Sequence, residues 1–203
     1  MVDLAAVIGR VRGMIFSPDA TLAEHTTPMP PWRVVAREHT LPLLVGSAVS
    51  AYAFQWIWLT VTTAGTGLNV GLALLVIVVN VAMNFAQIAL LAGIVKIFAG
   101  MFGGRQDFDS SYALVSLALT PLYVALAVMP LVGALILFAG LIYALVILYR
   151  NTPMVLRVPP ENRAKHFALT LVTMFLVSIV VTLVFLGLVS PPQADGVDLG
   201  PVW

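Results

Sequence analysis

The sequence predicts an all-α integral membrane bundle of five transmembrane helices, preceded by an N-terminal amphipathic interfacial helix. Three observations carry that expectation. Of 203 residues, 61% are hydrophobic and only 9% are charged, whereas soluble domains carry roughly 25% charged residues. The apolar residues are gathered into five runs, each close to or above the roughly 20 residues that one bilayer crossing needs. All 10 Lys and Arg residues fall before the first run or in and beside alternate connectors, the asymmetry that orients a chain in a membrane.

Taken in order, residues 1–40 form an N-terminal region that contains the amphipathic helix. Leu4, Val7, Ile8, Val11, Met14 and Ile15 share one face of residues 2–16, and Asp3 and Arg10 share another. Such a segment is too short and too charged to span and is suited to the headgroup plane. Arg10 and Arg12 interrupt what would be the apolar core of a signal peptide, so no cleavage is expected. Ser17-Pro18-Asp19 should stop this helix. Glu24-His25-Thr26-Thr27-Pro28 and Glu38-His39-Thr40-Leu41-Pro42 read as two further helix ends, because proline disfavours helix in the residue before it. Trp32 and Arg33 between them suit an interfacial anchor.

Residues 41–189 hold the five expected spans, Leu41–Thr63, Val70–Phe98, Ser111–Met129, Leu131–Tyr149 and Phe167–Val189. The second is long enough to tilt or to project beyond the bilayer. Phe102-Gly103-Gly104 should end it, since paired glycines reach the left-handed conformation that closes a helix. Asp107 and Asp109, with Ser110, then offer oxygens to cap the next helix. Pro121 removes the bond to the Leu117 carbonyl and should bend the third span. The third and fourth spans meet at Met129-Pro130-Leu131 as a tight hairpin. Residues 190–203, SPPQADGVDLGPVW, are rich in Pro and Gly and are expected to be a disordered, non-cytoplasmic tail.

Arg10, Arg12, Arg33 and Arg37 precede the first span. Lys96 and Arg105 flank the second connector, and Arg150, Arg157, Arg163 and Lys165 lie between the fourth and fifth spans. The opposite side has no cation, so the N-terminus is expected in the cytoplasm and the C-terminus outside. Trp56, Trp58, Tyr112 and Tyr149 sit where aromatic belts would lie.

Several of these stretches together resemble the bacterial branch of the Yip family, membrane proteins named for eukaryotic interactors of Ypt/Rab GTPases. The carriers are Ile15-Phe16-Ser17-Pro18, Phe102-Gly103-Gly104 with Phe108, Ala118–Pro121, Tyr143–Tyr149, and Thr152-Pro153 through Pro160-Glu161-Asn162. Their order extends over most of the chain, from about Val11 to the fifth span. The resemblance implies a five-span helical domain with a cytoplasmic N-terminus, and a bacterial cytoplasmic (inner) membrane as its site. For eukaryotic relatives it implies vesicle trafficking and binding of prenylated Rab proteins. It supplies no catalytic residue; Gly103, Gly104 and Pro121 are its structural positions here.

Candidate sites are few. Asn80, Asn84 and Gln87 are spaced to share one face of the second span, and amides in hydrocarbon need partners. They read as interhelical packing contacts, with a small-solute or lipid pathway as the alternative. Gly133 and Gly140 read as a close-packing face on the fourth span. Adjacent Glu-His pairs diverge by about 100° on a helix and lack the H-E-x-x-H spacing, so no metal is expected. His166 reads as a solvated interface residue. Ser116 and Ser178 have no basic partner in the sequence pattern, there is no cysteine, and no phosphate loop is present. These readings point away from an enzyme and from any cofactor.

The remaining surface is the basic one. Arg105, Asp107, Asp109, Arg150, Arg157, Arg163 and Lys165 form a candidate cytoplasmic docking face. Its expected partners are anionic lipid headgroups and other membrane or cytosolic proteins, with self-association open and nucleic acid not expected. The function so read is non-enzymatic organisation of lipid or docking of partners. The charge asymmetry predicts that a reporter fused after Trp203 is active only outside the cytoplasm; activity confined to the cytoplasm would refute five crossings.

Overall fold

The computed structural model describes residues 3–62 and 70–189. The connector 63–69 and the tail 190–203, for which disorder was expected, lie outside the described residues. Among the described residues the chain is helical throughout, without strand. Five helical runs are long and apolar enough to cross a membrane: Trp32–Trp58, Val70–Met101, Phe108–Val132, Leu135–Leu156 and Pro160–Val184. The count agrees with the sequence, and the boundaries differ in ways that proline and glycine explain.

The N-terminal segment is a helical hairpin. Helix α1 (Leu4–Phe16) is capped by Asp3, whose carboxylate accepts from the N–H groups of Ala5 and Ala6. Pro18 ends α1 as expected, and then opens α2 (Pro18–His25) from its first turn, where its missing N–H is no loss. Val7, Met14 and Leu22 are buried against the bundle, while Leu4, Ile8 and Phe16 remain exposed. The hairpin is tied down by α8: Tyr143 donates its hydroxyl to the Ile15 carbonyl at 2.8 Å.

The second Glu-His motif was expected to end a helix. Instead α3 (Trp32–Val35) passes through a π turn, Ala36–Thr40, into α4 (Leu41–Thr62) without interruption. Pro42 cannot donate to the Glu38 carbonyl and would crowd it in a regular helix. The wider turn, with the Leu41 N–H reaching back to the Ala36 carbonyl, absorbs the defect and lets the span begin at Trp32.

Helix α5 (Val70–Met101) has 32 residues, about 48 Å at 1.5 Å per residue. It closes as the paired glycines predict. The Gly104 N–H donates to the Ala99 carbonyl at 2.7 Å and the Gly103 N–H to Gly100 at 3.3 Å, with Gly103 at φ +78°. That is a Schellman closure. Asp107 caps α6 (Phe108–Ala118), accepting from the Ser110 N–H at 3.0 Å and the Ser110 hydroxyl at 2.6 Å.

The third span is interrupted for one residue, at Leu119. Helix α6 stops at Ala118, Leu119 adopts φ −78°, ψ −5°, and α7 (Thr120–Val132) starts with Pro121 in its first turn. The proline therefore sits where a helix tolerates it best. The hairpin to α8 (Leu135–Leu156) turns at Gly133, not at Pro130, which stays inside α7. Gly133 has φ 86° and ψ 170°, a conformation open essentially to glycine alone, so the turn falls on the residue able to make it. Gly133 is thus a turn residue, while Gly140 is the close-packing one. A Cβ at Gly140 would lie 2.7 Å from the Ala125 Cβ and 2.9 Å from the Pro121 carbonyl oxygen.

Helix α8 also runs past its expected end at Tyr149 and stops at Arg157, which is left-handed at φ 55°. Helix α9 (Pro160–Val189) starts well before Phe167. Helix α7 packs mainly on α8 and α4, and α5 on α6 and α9. The buried residues of α5, Ile88 through Ala99, lie toward the Gly103 turn. Val70, Leu72, Leu74, Leu75 and Val78 at its other end are exposed, as are Leu183, Val184 and Leu186 on α9. An apolar surface of that extent is what a bilayer covers.

The α5–α6 turn locks onto the α8–α9 turn. The Arg105 N–H donates to the Leu156 carbonyl at 2.6 Å, and a Cβ at Gly104 would meet Val158 Cγ2 at 2.7 Å and the Leu156 carbonyl oxygen at 2.8 Å. We expect Gly104→Ala to lower stability in detergent by ~1–3 kcal/mol, the range for overpacking. Gly93→Ala, at a site with nothing within 4 Å, should be neutral or mildly stabilising. Equal thermal midpoints for the two variants would refute the lock.

Candidate functional site

Two of the polar features expected from the sequence lie at the connector end and along α5. At the connector end the seven residues expected to form one docking face divide by role. Asp107 is the α6 cap and pairs with Arg105 at 3.4 Å. Burial alone would raise its carboxyl, but the Ser110 hydroxyl and N–H bonds and the Arg105 charge outweigh that and hold it below the usual carboxylate range. Asp109 caps a different helix: its Oδ1 accepts from the Trp32 N–H at 2.8 Å, at the start of the first span. Arg150 bonds Asp19 of α2 at 2.7 Å, and Asn151 donates to the same carboxylate at 3.0 Å. Arg163 lies 3.9 Å over the Tyr149 ring. Arg105, Arg157 and Lys165 are exposed, and the turn-to-turn lock brings Arg105 beside Arg157.

The stripe on α5 is engaged within the bundle. Asn84 donates to the Asn80 carbonyl at 2.9 Å and to its side-chain oxygen at 3.2 Å. Its own Oδ1 is 3.4 Å from the Tyr123 hydroxyl of α7. Gln87 donates to the Ser178 hydroxyl of α9 at 2.7 Å. Asn84, Gln87, Tyr123 and Ser178 border a largely apolar cavity of about 240 Å³.

Sequence reasoning missed a buried polar ladder between the first and third spans. The Thr40 and Ser116 hydroxyls are 2.7 Å apart. Tyr112 donates to Thr40 at 3.1 Å, and His39 Nε2 lies 2.9 Å from the Thr120 hydroxyl. All five side chains are buried. The available signal was the polar run Glu38-His39-Thr40 directly before an apolar span, which was read as a helix end. His166, expected to be solvated, is 1% exposed and packs edge-on against Phe102 with ring centroids 6.2 Å apart. The early start of α9 carries it inside, against the end of α5.

Both Glu-His pairs, remote in sequence, border one cleft together with Arg10. Among the described residues no three His, Asp or Glu side chains are placed to hold a metal ion.

The cross-helix amide bond sets a test. Gln87→Leu should destabilise by ~1–3 kcal/mol, because it strands the Ser178 hydroxyl. Gln87→Leu combined with Ser178→Ala should recover most of that loss. Additive losses in thermal unfolding would show that the two side chains are not coupled.

Neither the curated proteins nor the solved structures contain a match to this chain. The family model for the Yip1 domain does match, over residues 12–182. That region runs from the end of the amphipathic helix, through the glycine turn and the broken third span, into the last span. Five apolar helices arranged in this order, and a match extending over most of the length, agree with the resemblance read from the motifs: the chain is an integral membrane protein of the Yip family.

Proposed function

We propose that this protein is a non-enzymatic member of its family that gathers anionic lipid at its cytoplasmic face and docks protein partners there. The supporting observation is the bond from the Arg105 N–H to the Leu156 carbonyl, which joins two cationic connectors into one surface. Arg105, Arg157 and Lys165 present their charges from that surface, and each cation near an anionic leaflet contributes up to ~1 kcal/mol. Asp107, Asp109, Arg150 and Arg163 serve this face by holding its helices in place. The segregated cations favour the cytoplasmic side of a bacterial inner membrane. The Asn80, Asn84 and Gln87 stripe acts as packing, because its amides find partners on α5, α7 and α9.

The test compares the wild type with Arg105→Ala/Arg157→Ala/Lys165→Ala after purification in mild detergent with mixed lipids. We expect phosphatidylglycerol retained by the wild type to fall roughly tenfold in the triple variant and to fall with added salt. Equal retention at every ionic strength would overturn the reading.

A further inference from the structure

Arg10 on α1, Glu24 and His25 at the end of α2, and Glu38 and His39 in the π turn border one cleft of about 710 Å³. Its charges are largely unspent. Neither Arg10 nor Glu24 forms an ion pair with another described residue; Arg10 bonds only through Nε, to the Ala6 carbonyl of its own helix at 3.4 Å. Glu38 pairs with Arg37 alone, on the solvent side. At the inner wall, His39 has no exposed surface. Its Nε2 is held by Thr120, while its Nδ1 has no partner within the protein. A buried ring nitrogen without a partner is costly, and the residue that carries it lines the same cleft as Arg10, Glu24 and Glu38. His25 is held below the ordinary imidazole range by burial, which with Arg10 outweighs the pull of Glu24.

The chemistry of these groups selects a ligand. A guanidinium seeks an oxyanion and matches phosphate in a bidentate geometry. Two carboxylates seek N–H donors, and a primary ammonium carries three. A bare divalent cation satisfies the carboxylates but not Arg10, and a simple phosphate satisfies Arg10 but meets the carboxylates as like charges. A group carrying both phosphate and primary ammonium satisfies all three. The cleft opens beside α1, whose exposed Leu4, Ile8 and Phe16 suit the boundary between headgroups and acyl chains.

We propose that this cleft binds a phosphoethanolamine group, with its phosphate on Arg10 and its ammonium between Glu24 and Glu38, presented by a diacyl lipid beside α1. The site is separate from the Arg105–Lys165 face, and its selectivity is of another kind. It prefers ethanolamine to choline, because a quaternary ammonium has no N–H to donate.

The experiment measures lipid retained by the full-length protein in mild detergent, by native mass spectrometry. The probes are phosphatidylethanolamine, phosphatidylcholine, phosphatidylglycerol and soluble phosphoethanolamine. We expect the wild type to retain phosphatidylethanolamine about tenfold over phosphatidylcholine, a preference typical of charge-assisted bonds. Glu24→Gln/Glu38→Gln should abolish that preference, and Arg10→Gln should reduce retention of both lipids. Phosphatidylglycerol retention through the basic face should persist in both variants, so failure here and failure of the basic-face reading are told apart. The exposed single variant Glu24→Gln, with an unchanged thermal midpoint, serves if the double variant does not fold. Binding of soluble phosphoethanolamine without the diacyl lipid would assign the same site to a free ligand and overturn its lipid source. Equal retention of ethanolamine and choline lipids by the wild type, or a preference that survives Glu24→Gln/Glu38→Gln, would overturn the proposal.

Discussion

Helix α6 is buried on every side, and that constraint organises the molecule. Each residue from Ser110 to Ala118 is shielded, so its polar side chains must be satisfied by neighbouring helices. Unpaired, each would cost about 1–3 kcal/mol. Thr40 from the first span meets Tyr112 and Ser116, and His39 meets Thr120 just beyond the break. In the reverse direction, Asp109 caps the first span at Trp32. These bonds hold the first span in one register against the third, which nonspecific apolar packing alone would not do. Trp32, Phe85 and Phe108 surround the Tyr112 ring at centroid distances of 5.8, 6.4 and 5.9 Å, and these edge-on and tilted contacts reinforce the register.

Around that helix, proline and glycine decide where the backbone departs from regularity. Pro42 is absorbed by a π turn, Pro121 by a helix break, and Pro130 by a position close to the end of α7. Gly103 and Gly133 adopt positive φ at two of the connections between spans. Gly104 and Gly140 act through size: one lets two connectors touch, the other lets α7 and α8 approach backbone to backbone. The result is a firm core at the connector end and an apolar outer surface along the opposite halves of α5 and α9. Function is expected where the protein is firm and polar, and the proposed lipid contacts lie there.

The candidate site was legible in part. Gly103, Gly104 and the Asp107 cap could be read because each acts on its own backbone neighbours. Asn84 and Asn80 could be paired because a spacing of four places them on one helix face. Asp109 was read as a local cap, yet it caps a helix 77 residues away in sequence. His166 follows Lys165 in a polar stretch that signals solvent locally, and only the start of α9 at Pro160 carries it inside. The convergence of the two Glu-His pairs with Arg10 depends on how α1 and α2 fold back onto the first span, and no periodicity within either motif encodes that.

By itself the sequence determined the class of solvent the chain inhabits, the number of crossings, the glycine closure of α5, and the family. These follow from hydrophobicity, run length and local backbone preference, which act over a few residues at a time. Tertiary structure alone decided that the first span begins at Trp32, that the turn after α7 falls on Gly133, and which cations remain exposed. It also decided that His39 and Thr40 face inward. The physical reason is that a polar group or a proline in a span has several tolerable local solutions, and only the helices packed around it select one.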